Sequence, residues 1–184
     1  GTSPYCYVAT KGEANRFIGT AYCANAYADL EALAAAKGVD IVENFEPGGG
    51  HKVTLIDPDH IEIEVYYGMQ LVEPISIDST MLNTGVDKPR ENTLQRFGRG
   101  ADEWQLKDDR WVYELTSKVK RLGHTAINVA DAAVSVDWYA KNLGFLISDN
   151  LIAPDESGSI GAFMRCNQGD KPVDHHTLNN VQIM

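Results

Sequence analysis

RLGHTAINVADAAVSVDWYAKNLGFLISDNL, residues 121–151, reads as a strand, a helix and a second strand. Asp131 stands where a helix N-cap belongs, Gly144 where a left-handed C-cap belongs, and Val134 and Trp138 lie four apart on one helical face. The same order occurs earlier, over residues 16–68. FIGTAYCA (17–24) has the apolar content of a strand. AYADLEALAAAKG (26–38) is rich in helix formers and ends on Gly38. After the EPGGG loop (46–50), HKVTLIDPDHIEIEVYYG (51–68) reads as two strands joined by a DPD turn. In the second of these, Ile61, Ile63 and Val65 alternate with Glu62, Glu64 and Tyr66, so the two sets take opposite faces. Aligning Gly38 with Gly144 also brings TAYCA against TAINV. The chain therefore carries an internal repeat of strand, helix and following strands, and its fold class is α+β.

Between the two units, residues 71–120 are polar and charged, and read as an interdomain linker with a short helix near its end. The whole chain of 184 residues has a formal net charge of −10. That field disfavours nucleic acid and an anionic membrane surface as partners and leaves a small molecule. The three cysteines, Cys6, Cys23 and Cys166, are scattered and lack C-x-x-C spacing. They read as free thiols in a reducing compartment. GTSPYCYVAT has neither the basic nor the apolar region of a signal peptide, and no apolar run is long enough to span a bilayer. A cytoplasmic location is the expectation.

A finer repeat lies in the later unit. His124-Thr125-Ala126-Ile127-Asn128 and His176-Thr177-Leu178-Asn179-Asn180 both read H-T-x-x-N, and each opens a predicted strand. Alternation puts His124, Ala126 and Asn128 on one face of their strand, and His176, Leu178 and Asn180 on one face of theirs. If the two strands are symmetry mates in one curved sheet, both imidazoles enter the same concavity, the commonest beginning of a transition-metal site. A lone strand-leading histidine is more often structural; the coincidence of type, position and face favours a joint metal role. His175 then faces away from His176. His51 and His60 flank a hairpin loop and are expected in solvent. Glu64 reads as a polar residue of a metal-free copy, because no histidine of its own unit accompanies it. Cys166 reads as a half-buried thiol, and Gly48, Gly49 and Gly50 as a flexible connection, without the lysine and helix of a phosphate loop.

Taken together, DPDHIEIEVYYG (57–68), residues 121–149 and AFMRCNQGDKPVDHHTL (162–178) resemble the vicinal oxygen chelate superfamily, which includes the glyoxalases and bleomycin-resistance proteins. Within it they are most similar to the type I extradiol ring-cleaving dioxygenases. The resemblance covers about two-thirds of the chain. It implies two domains, each of paired βαβββ modules whose curled mixed sheets surround a cup, and both incomplete in this chain. Residues 1–70 would be a metal-free N-terminal domain lacking its start, 71–120 the linker, and 121–184 a metal-binding C-terminal domain lacking its final module. HHTL would open that final module. Carried over residue by residue, His124 and His176 match metal ligands, with a glutamate beyond Met184 as the third. The catalytic acid–base residue stays unassigned: Ser159 stands nearest the family's catalytic histidine, and His175 is a supporting or surface residue. The activity implied is Fe(II)-dependent cleavage of a catechol-type diol by O2, with Mn(II) as the alternative metal, in a homo-oligomer. An apolar cup of Ala126, Phe163 and Leu178 would take the ring. The rival readings are a non-redox ligand-binding protein of the bleomycin-resistance kind and a glyoxalase-like metal lyase or isomerase.

Overall fold

A computed structural model of the protein describes residues 2–73, 104–107, 110–113, 122–171 and 173–182. It divides into two compact units, Gly1–Thr2 with Glu73–Arg121, and Ser3–Val72 with Leu122–Met184. In the first unit, β5 (Trp104–Lys107) and β6 (Arg110–Tyr113) form an antiparallel hairpin with Trp104 opposite Tyr113. The aromatic and β-branched residues of WQLK and RWVY favour strand there. The other residues of the expected linker and its helix lie outside the described residues.

The second unit holds two modules of one topology. The first runs β1 (Gly19–Cys23), α1 (Tyr27–Lys37), β2 (Val42–Glu43), β3 (His51–Ile56) and β4 (Glu62–Tyr67), in the sheet order β1-β4-β3-β2. The second runs β7 (Thr125–Val129), α2 (Ala132–Leu143), β8 (Leu146–Ile152), β9 (Ser159–Arg165) and β10 (Leu178–Gln182), in the order β7-β10-β9-β8. In each, the last strand inserts beside the first in parallel, and its other neighbours are antiparallel. The internal repeat of the sequence is thus two βαβββ modules. The segments 1–70 and 121–184, separated in the sequence reading as two domains, both contribute to this one compact unit.

The helix ends follow the local chemistry. Asp131 accepts a hydrogen bond from the Val134 amide at 3.0 Å, and Gly38 and Gly144 close the two helices at φ of 63° and 69°. The buried face of α2 carries Ala132, Ser135 and Tyr139, whereas Val134 is exposed, so the Val134–Trp138 pairing does not define that face. Alternation in β4 holds, with Ile63 and Val65 in the core.

One core cluster joins the modules. Leu55 and Ile63 of the first pack with Ile127, Val129, Tyr139, Phe145, Met164 and Leu178 of the second. Asp57 of the DPD turn lies within this contact, 3% exposed, and its need for partners is met on both sides. Its Oδ1 accepts from the amides of Asp59 and Ile61 at 2.9 and 2.8 Å, which shapes the turn, and its Oδ2 accepts from the Tyr139 hydroxyl at 2.9 Å. Burial and the neighbouring Asp57 charge push the Tyr139 phenol above its ordinary value, so it stays a donor. Asp59 Oδ1 also takes the Ala130 amide at 2.7 Å.

Removing the donor strands a buried carboxylate oxygen. Tyr139→Phe is expected to destabilise the protein by about 1–3 kcal/mol, seen as a lower urea midpoint at unchanged slope. Leu178, fully buried, tests a second point. Leu178→Ala is expected to cost about 2–5 kcal/mol by the same measurement, as a core residue does.

Candidate metal centre

Thr125 and Thr177, the threonines that follow His124 and His176, join the two H-T segments side by side. The Thr125 amide donates to the Thr177 carbonyl at 3.0 Å, and the Thr177 amide donates to Met164 at 2.7 Å. With Leu178 opposite Thr125 in the parallel register, the residues before each strand meet at one end of the sheet. The His124 and His176 rings lie there with centroids 4.5 Å apart. The Phe163 ring packs against His176 at 4.7 Å.

The convergence arises differently from the expectation. β10 does not open a further module; it closes the second one, as β4 closes the first. The two H-T-x-x-N segments are therefore neighbours within one module and not symmetry mates. Nor does alternation carry through β10 to His176. Leu178 and Asn180 are fully buried toward α2, where the Asn180 amide donates to Ser135 Oγ at 3.0 Å. Ala126 and Asn128 are exposed on the opposite face. Leu178 is thus core and not cup lining. His176 precedes the first ladder residue, so its ring is free of the strand's alternation and turns toward His124.

His175 does not face away either. Its Nδ1 lies 3.1 Å from His176 Nδ1, and its Nε2 lies 2.8 Å from Asp149 Oδ2. Its backbone carbonyl accepts from Ser148 Oγ at 2.5 Å. Asp149 and Ser148, which hold His175 from β8, carried no signal in the sequence. Ser159, by contrast, sits at the opposite end of β9, its hydroxyl bonded to the Leu151 and Gly161 carbonyls. It does not approach the histidines.

The electrostatics favour neutral imidazole. Burial, followed by the proximity of His124 and then His175, holds His176 below the ordinary histidine value, with Asp174 acting in the opposite sense. An imidazole that binds its proton less tightly suits a divalent transition metal. The same face of β10 carries Asn179, whose Oδ1 is buried with no hydrogen-bond partner among the described residues. These donors fit part of a metal's coordination shell. Among the described residues, no cluster of three or more His, Cys, Asp or Glu side chains completes it.

In the first module the corresponding face is closed to metal by its own side chains. Glu64 is paired with Lys52 and accepts from the Tyr66 hydroxyl at 2.7 Å. With Thr20 aligned on Thr125, the parallel registers place Asn179 at the position of Glu64. His51 and His60 are exposed, as expected, with His51 edge-on to Tyr27. Cys6, Cys23 and Cys166 are free thiols. A groove of about 530 Å³ runs along β7 past Ala126 to Ala130, flanked by Phe17, Asp59 and Ile61, and none of the histidines lines it. Among the described residues, no helix is long and apolar enough to cross a membrane.

Comparison with known proteins agrees with the fold. Residues 121–173 match the model of the Glyoxalase/Bleomycin resistance protein/Dioxygenase superfamily. The fold is shared with solved structures. The Mn(II)-bound glyoxalase from Novosphingobium aromaticivorans superposes with a TM-score of 0.56 at 18% identity, over 94% of this chain and 44% of its own. Homoprotocatechuate 2,3-dioxygenase from Brevibacterium fuscum, in a variant form, gives 0.55 at 18%, over 94% and 39%. BphC, a halotolerant catechol dioxygenase, gives 0.51 at 18%, over 93% and 47%. The chain thus spans less than half the length of each of these structures. No sequence match to a curated protein is found.

The lowered His176 value sets a pH dependence. Its proton binds more weakly in the folded protein than in the unfolded chain, so stability falls as pH drops below about 6.5 and levels off below the folded value. Urea unfolding of the metal-free protein between about pH 7 and pH 5 should show this loss, and His176→Gln should reduce it.

Proposed function

We propose that this chain forms part of a metal-dependent extradiol dioxygenase that cleaves a catechol-type aromatic diol with O2. The observation that carries the reading is the approach of the His124 and His176 imidazoles at one end of the β7–β10 pair. These two residues would hold Fe(II), with Mn(II) the alternative, and a carboxylate outside the described residues would complete a two-histidine, one-carboxylate set. A metal so held supplies Lewis acidity that lowers the cost of ionising a diol and gathers diol and O2 in one place.

The chain's own residues set the rest. His124 and His176 present ring nitrogens from a rigid strand pair, so no backbone has to move to form the site. Phe163, half-buried against His176, offers an apolar ring beside which an aromatic substrate can lie. The exposed Ala126 keeps the adjoining face open. The net charge of −10 keeps nucleic acid and anionic membranes away and leaves small molecules as partners. A homo-oligomer in a cytoplasmic setting is part of the same proposal.

The test uses protein purified without oxygen, loaded with Fe(II) and assayed with a panel of catechols. O2 uptake with a yellow ring-fission product is expected. Retention of Mn(II) or Zn(II) with turnover of a methylglyoxal–thiol adduct would favour the lyase, and absence of both metal and product would favour a binding protein. His124→Ala and His176→Ala should each abolish metal retention, while His175→Ala, one bond removed, should weaken it by about 10–100-fold. Equal loss in all three would overturn the assignment of ligands.

A further inference from the structure

Ser148 and Asp149 approach His175 from a break in the β8–β9 ladder. Ile147 pairs with Met164 and Asp149 with Phe163, so Ser148 is an extra residue on β8. A bulge of this kind bends a strand and re-aims its side chains. Here Ser148 Oγ donates to the His175 carbonyl at 2.5 Å and is itself held by the Arg165 guanidinium at 2.9 Å. The next residue, Asp149, places Oδ2 2.8 Å from His175 Nε2, and His175 Nδ1 lies 3.1 Å from His176 Nδ1. The backbone and the ring of His175 are therefore fixed by two consecutive residues of one bulge.

Donor and acceptor accounting assigns the protons along this chain. An ionised carboxylate only accepts, so His175 Nε2 carries the hydrogen that Asp149 receives. A neutral imidazole has one N–H, so His175 Nδ1 is then an acceptor. It can only accept from His176, whose Nδ1 must be protonated. The lone pair of neutral His176 is consequently on Nε2. We infer that Asp149 and His175 are positioning residues, aimed by the β8 bulge, that hold His176 in its Nδ1–H tautomer and so present the unprotonated Nε2 as its one available donor nitrogen. Asp149 and His175 are 66% and 57% exposed in their side chains, so the pair adds little to stability. Its effect is on orientation and tautomer. The tautomer follows from hydrogen bonding alone, and its meaning for metal binding rests on the function proposed above.

The experiment reads the tautomer directly, without metal or substrate. Protein labelled with 15N-histidine is examined by long-range 1H–15N correlation at about two pH units above the ordinary histidine pKa, where the imidazoles are neutral. The His176 signals are assigned by their loss in His176→Gln. The expected result is a protonated Nδ1 and an unprotonated Nε2 for His176, with the reverse pattern for His175. His175→Phe, which keeps a ring beside Phe163 but removes the acceptor, should abolish the preference at His176. Asp149→Ala should reduce it by freeing His175 to take either tautomer. A His176 protonated on Nε2 in the unmodified protein overturns the inference, as does an unchanged tautomer in a folded His175→Phe protein. Should His175→Phe fail to fold, the exposed Asp149→Ala substitution gives the same reading. Because no metal is present, failure here leaves the proposed activity standing, and failure of the catechol assay leaves the tautomer result intact.

Discussion

The parallel register of β7 and β10, with Leu178 opposite Thr125, is the constraint on which the site depends. A parallel neighbour must be reached through a crossover, and here the helix and two strands between them supply it. Inserting β10 between β7 and β9 satisfies its backbone on both sides and sends Leu178 and Asn180 into the core beneath α2. The residues just before both strands then meet at the same end. His124 and His176 are adjacent because the module closes, and moving either would require breaking the ladder.

A second constraint holds the modules together. A carboxylate as buried as Asp57 needs partners for both oxygens, and it finds them in its own turn and in Tyr139 of the other module. The DPD turn thus ends one hairpin and also fixes α2, whose buried Ser135 supports Asn180 in β10. The path from turn to helix to closing strand is continuous packing, and it gives the histidine pair a rigid base.

The two modules share a topology and differ in what their outer faces carry. In the first, the Glu64 charge is balanced by Lys52 and held by Tyr66. In the second, Asn179 takes that position, and imidazoles gather at the strand ends. One scaffold thus supports a self-satisfied polar face and a face with unused donor capacity. The proposed site lies on the second, where the His124 and His176 rings approach each other and Asn179 Oδ1 has no partner among the described residues.

Much of this was legible in the residues. The helix between Asp131 and Gly144, the turn at DPD, the alternation in β4 and the repeat of strand–helix–strand all follow from short-range chemistry, which depends on caps, φ preferences and side-chain period. His124 and His176 also stood out by the repeated H-T-x-x-N. Strand order did not, because the same apolar run serves equally as the first strand of a new module or the last of an old one. Alternation was accordingly extended through β10 to His176, placing Leu178 in the cup and turning His175 away. The bulge at Ser148, which brings Asp149 to His175, likewise has no sequence signature. The sequence by itself determined the repeated strand–helix–strand segments, though not the hairpin of β5 and β6, and which side chains bear donors, since these are properties of neighbours along the chain. The tertiary structure alone decided which donors meet, because that depends on ladder register and on closure of the module across more than fifty residues.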